Sequence, residues 1–120
     1  METDPNVETR EWLRHLQQEV KDQVGAEGVI VYHDPGPCLV FEDEYPSGVK
    51  YRVMVIRDER QFTNEHFNTR HVVAILYAEY IDGSWEKATT LLMADGDLIW
   101  YEEVAAMMVT ILQSLQYKKD

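Results

Sequence analysis

The chain has one cysteine, Cys38, so no internal disulfide can form and a small disulfide-stapled scaffold is excluded. No apolar run approaches the ~20 residues that cross a bilayer as a helix, so neither a transmembrane helix nor a membrane partner is predicted. Base is scarce: 11 Lys and Arg stand against 22 Asp and Glu, a net charge of −11. A surface that negative repels phosphates, which argues against direct binding of nucleic acid. The first residues, from Met1 to Pro5, carry acid where a secretion leader would carry base, and no apolar core follows. The chain is therefore read as cytoplasmic. The six glycines nowhere have the spacing of a phosphate-binding loop.

At 120 residues and 45% apolar content, the chain suffices for one continuous core, and residues 1–120 are read as a single acidic domain. Its charge is spread along the chain. The exception is a small basic island, Lys50, Arg52, Arg57, Arg60 and Arg70, which suits an acidic partner or, more simply, local ion pairs on strand edges.

Asp4 followed by Pro5 is a helix start, because the carboxylate accepts orphan amide hydrogens and proline loses nothing at the first helical position. Trp12, Leu13, Leu16, Val20 and Val24 then recur at spacings of three and four, which predicts a helix over 5–24 that stops at Gly25. From residue 28 the pattern changes to alternation and short apolar runs punctuated by turns, as in consecutive antiparallel strands. Strands are predicted at 28–33, 38–44 and 49–57, separated by the turn residues 34–37 and 46–48. Residues 58–70 read as a polar connection in which Thr63 could cap a short helix.

The run from His71 to Ile81 is apolar on both alternating faces, which predicts a strand in mid-sheet with both faces covered. Asp82 and Gly83 suit a two-residue hairpin turn. A further strand is predicted over 85–94. Asp95 and Gly96 then either turn the chain into a short strand at 98–100, or Asp97 caps the last helix. That helix, over 101–117, has Glu102 and Glu103 at its start and Lys118 and Lys119 after its end, the order that its dipole prefers. Its apolar residues, from Val104 to Leu115, cover roughly 200° at 100° per residue, more than one sheet face needs. The surplus must meet the first helix or another subunit. The predicted class is α+β, an antiparallel sheet of five to six strands with an N-terminal and a C-terminal helix.

No arrangement of chemistry-bearing residues exceeds its bland explanation. His66 and His71 are the closest histidine pair, but they fall where a connection meets a strand and lack the helical i, i+4 spacing of zinc ligands. His33, Asp34 and Cys38 sit close together in sequence, yet the glycine and prolines among them account for the segment as a turn and nothing marks the thiol as activated. Glu42, Asp43, Glu44, Glu79, Asp82, Asp95 and Asp97 offer carboxylates whose spatial separation one sequence cannot give. No catalytic residue, metal site or cofactor is predicted.

The aromatic residues Tyr45, Tyr51, Tyr77, Tyr80, Trp85, Trp100 and Tyr101 lie on or beside predicted strands, and suit either a sheet core or a protein interface. Together with the over-wide last helix they nominate Tyr45, Tyr80, Trp85, Trp100, Met107 and Met108 as partner-binding residues.

The order helix, three strands, connection, two or three strands, helix resembles that of class I type III secretion chaperones. Those are small acidic cytoplasmic homodimers that hold effector segments on their surface. The resemblance lies in element order, size and charge. It does not extend to that family's leucine-rich second helix, which residues 58–70 do not match. The over-wide apolar stripe of the last helix, the strand that is apolar on both faces and the lack of a catalytic motif point to a non-enzymatic protein-binding module, chaperone-like or inhibitor-like and homodimeric. Two alternatives are carried beside it. One is a small-molecule binder or enzyme on a cystatin-like or ketosteroid-isomerase-like cone, with a pocket lined by Trp12, Tyr77 and Met93. The other is an acidic nucleic-acid mimic that inhibits a DNA-binding partner.

Overall fold

The computed structural model describes residues 5–33, 36–59, 71–95 and 99–119. Helix α1 spans Pro5–Val24, strands β1 to β6 span Val29–His33, Gly36–Glu44, Lys50–Glu59, His71–Ile81, Ser84–Trp85 and Thr89–Asp95, and helix α2 spans Tyr101–Lys119. The strands form one antiparallel sheet in the order β1-β2-β3-β4, with β5 and β6 both paired to the far side of β4. The sheet curls into a half-barrel.

Local chemistry sets the element ends. Gly25, at φ 73°, donates its N–H to the Lys21 carbonyl at 2.8 Å and so closes α1 in the left-handed cap that glycine takes without strain. Asp82 and Gly83 both have positive φ, 53° and 87°, and turn β4 back on itself as a tight hairpin. At the start of α2 the Glu103 carboxylate accepts the Trp100 N–H at 2.8 Å, while the Trp100 carbonyl accepts the first helical amides, Glu103 and Val104. This is half of a capping box, and an acid in the first turn also meets the positive end of the helix dipole.

The strands depart from the sequence reading in three places. Gly36 and Pro37 pair with His33 and Tyr32, so β2 starts two residues earlier than the expected Cys38, and residues 34–35 lie outside the described residues. Asp58 and Glu59 pair with Val72 and His71, which extends β3 two residues beyond the expected end at Arg57. The single strand expected over 85–94 is broken at 86–88, which lie in no strand and separate β5 from β6. Within β6 a register shift opposite Ile75 and Leu76 leaves Leu91 without a partner in β4, a bulge in the ladder. Residues 60–70, including the site of the Thr63-capped helix, and residues 96–98, including Asp97, lie outside the described residues. Ile99 and Trp100 are not in a strand. Ile99 donates its N–H to the Asp95 carbonyl at 3.1 Å and leads directly into the α2 cap.

Both helices pack on one face of the sheet. Leu13, Leu16 and Val20 of α1 and Val104, Ala105, Met108 and Leu115 of α2 bury themselves against Leu39, Phe41, Val53, Val55, Val73 and Ile75. The apolar surplus of α2 meets α1. His15 of α1 stacks on Tyr101 of α2, with ring centroids 5.1 Å apart. The opposite face has its own apolar cluster of Cys38, Val40, Met54 and Ala78, with Val31, Ile56, Leu76 and Trp85 around it. β4 lies mid-sheet, and Val72, Val73, Ala74 and Ile75, from both of its faces, are fully buried.

Candidate protein interface

The helix-free face follows from the pairing register, because directly opposed residues in an antiparallel sheet share a face. Glu42 is opposite Arg52, Val40 opposite Met54, and Val29 opposite Val40, so these side chains all point away from the helices. Where β1, β2 and β3 meet, Glu27, Val29, Val31, Val40, Glu42 and Arg52 line a cleft of about 310 Å³. Val29 is 59% exposed at its outer side. β1 closes the sheet here. Among the described residues no strand pairs with its outer edge.

Arg52 is the central polar residue of this face. Its guanidinium lies over the Trp85 ring at 4.1 Å from the centroid, and its Nη1 is 4.0 Å from a Glu42 oxygen. A partly desolvated cation over tryptophan is worth about 1–2 kcal/mol. Among the described residues its Nε is buried and meets no acceptor. Tyr80 meets Trp85 edge-on at 5.3 Å, which extends the polar and aromatic strip toward the β4–β5 turn. Beside it Cys38 is 3% exposed, and burial pushes its thiol up to about 11, a rise that Arg52 partly opposes. A thiol held protonated is a poor nucleophile. His33 and Asp34, the other members of that sequence cluster, have no described side chains.

A second cluster sits on the helix side, at the end of the sheet near the β2–β3 turn. The Tyr45 and Tyr77 hydroxyls are 2.7 Å apart, and Tyr51 stacks on Tyr45 at 4.5 Å. Burial first, then the bond to Tyr45, raise the Tyr77 pKa, so its hydroxyl stays protonated. The three rings form a wedge that closes the core, tied by the bond between the Tyr45 and Tyr77 hydroxyls.

The nominated residues disperse over the molecule. Tyr45 is half-buried in that wedge, and Trp85 is half-buried under Arg52. Tyr80 is 41% exposed next to Trp85. Trp100 caps α2 with 70% of its surface exposed, and Met107 is exposed on the outer side of the same helix. Met108 is fully buried between the helices and the sheet. It is a core residue, because a shift of one position on a helix rotates the side chain by about 100°. The pocket imagined between Trp12, Tyr77 and Met93 cannot form. Tyr77 pairs with Val53 on the helix side, whereas Met93 pairs with Ala74 on the other side of the sheet.

The cleft residues Glu27, Val29, Val31 and Val40 were not nominated from the sequence. Their alternation announces strands, but their convergence depends on the register between β1 and β2. Arg52 and Glu42 did carry a signal, as members of the basic island and of the acidic run at 42–44. Among the described residues no group of three or more His, Cys, Asp or Glu is placed to hold a metal ion, and no helix is long and apolar enough to cross a membrane. His66 lies outside the described residues. No family model matches this chain, and comparison with curated proteins and with solved structures finds no match.

Proposed function

We propose that this chain is a non-enzymatic protein-binding module, chaperone-like or inhibitor-like, that takes an extended segment of another protein as an added strand on β1. The observation that carries this reading is the outer edge of β1 lying beside a cleft with a valine floor and a charged rim. A sheet edge offers a row of backbone donors and acceptors, and an added strand drops every second side chain onto one face. Those side chains would enter the cleft over Val29, Val31 and Val40. Backbone bonds then supply affinity and the cleft supplies selectivity.

The module is also proposed to be a homodimer, through a different surface. Trp100, which caps α2, and Met107, on that helix, are large apolar residues left exposed, and a second copy would cover both.

Scanning N-methylation of a bound peptide tests strand addition. Methyl groups at alternate positions, which face β1, should abolish binding, whereas those at the intervening positions should leave it intact. Loss without that period of two would refute an added strand.

A further inference from the structure

The cleft beside β1 has an apolar floor and an acidic rim, and the two together describe a particular kind of side chain. The floor is Val29, Val31 and Val40, the rim carboxylates are Glu27 and Glu42, whose side chains are 74% and 57% exposed, and Arg52 completes the lining as a cation already set over the Trp85 ring. Neither carboxylate is saturated. Glu42 lies 4.0 Å from Arg52 Nη1, too far for a hydrogen bond, because that guanidinium is drawn onto the Trp85 ring. Glu27 pairs with Lys21 at 3.4 Å, and both side chains are more than half exposed. Such a surface pair exchanges readily. Each carboxylate offers about four lone-pair sites, so both can take a further donor.

Long aliphatic stems that end in a cation fit such a cleft, because the stem covers apolar surface while the head reaches the rim. A space of about 310 Å³ holds roughly ten waters at ~30 Å³ each. An arginine side chain displaces only part of them, so the cleft has room for the stems of two alternate residues. The net charge of −11 draws a basic chain toward the same surface. We infer that the occupant of this cleft is a basic segment of another protein, extended and carrying arginine or lysine at alternate positions. Its stems lie on Val29, Val31 and Val40 and its cations meet Glu27 and Glu42. This inference rests on strand addition to β1 and adds the chemistry of the partner.

Three short capped peptides alternate valine with arginine, with glutamine or with glutamate, and their binding to the full chain is followed by fluorescence anisotropy. The arginine peptide should bind tightest and weaken about tenfold between low and physiological salt. Glu42→Gln and Glu27→Gln, both at exposed positions that leave the fold intact, should each weaken it about threefold to tenfold without affecting the glutamine peptide. Equal or tighter binding of the glutamate peptide, or indifference to both substitutions, overturns the basic partner. If the peptide that does bind then loses affinity on N-methylation with a period of two, strand addition stands without it. If no peptide binds, or methylation has no such period, strand addition falls and the basic partner falls with it.

Discussion

Cys38 shows how one residue's surroundings decide its chemistry. The thiol is 3% exposed, with its pKa pushed up to about 11 by burial. Alkylation by iodoacetamide at pH 8 should therefore be negligible in the native protein and rapid in urea, as read by mass spectrometry. A native thiol that reacts as fast as free cysteine would show that this face opens. The same shift has a pH consequence. Above pH 9, the ordinary value for the thiol, the unfolded chain loses the proton that the folded chain retains, so this contribution to stability is present below pH 9 and declines as pH rises toward 11. It amounts to about 3 kcal/mol. Cys38→Ala should flatten the fall in urea midpoint between pH 9 and 11, leaving the part due to Tyr77, whose raised pKa acts with the same sign.

Two glycines are needed for different physical reasons, and substitution separates them. A Cβ on Gly28 would lie 2.7 Å from Phe41 Cζ and 2.8 Å from Leu39 Cδ1, both in the packed core. Gly28→Ala should cost about 1–3 kcal/mol by overpacking, with an unchanged m-value in urea, and Gly28→Asn should cost more. Gly25 has open space around it and a φ of +73°. Gly25→Ala should cost about 1 kcal/mol, and Gly25→Asn should recover part of it because asparagine tolerates the left-handed region. The same rank order at both positions would refute the distinction.

At the scale of elements, α2 depends on a cap that hydropathy alone does not reveal. The Glu103 carboxylate accepts the Trp100 N–H, and the chain enters the helix there. Glu103→Ala should lower stability by about 0.5–1 kcal/mol, measured by thermal or urea unfolding, whereas Glu102→Ala should cost less. Equal costs would leave only the helix dipole as the cause. The hairpin at Asp82 and Gly83 and the stop at Gly25 were legible in advance, because each depends on a conformation that few residues adopt. The split of the strand at 85–94 was not. β5 pairs with Tyr80 and Ile81 and β6 with Val72 to Tyr77, and that division along β4 is a matter of register between strands that no single strand's pattern carries.

For the whole molecule, oligomeric state is the direct measurement. Sedimentation at micromolar concentration should give a dimer, and Trp100→Ser with Met107→Gln should shift it to monomer while the circular dichroism of the fold is retained. A monomer in the unsubstituted chain would remove the dimer. Met108 cannot contribute to that surface, since its side chain is fully buried.

The sequence by itself determined the class of fold, the mid-sheet place of the strand at 71–81, both helices and the acidity, because periodicity, capping chemistry and charge are local properties of neighbouring residues. It also supplied Arg52 and Glu42 as charged residues, without indicating that they stand opposite each other. Only the tertiary structure decided that Tyr77 and Met93 lie on opposite faces and that the surplus of α2 meets α1. It also decided that Glu27, from the loop after α1, joins Val29, Val40 and Glu42 in one cleft. Those placements depend on strand register, and a shift of one residue would send every side chain of a strand to the other face.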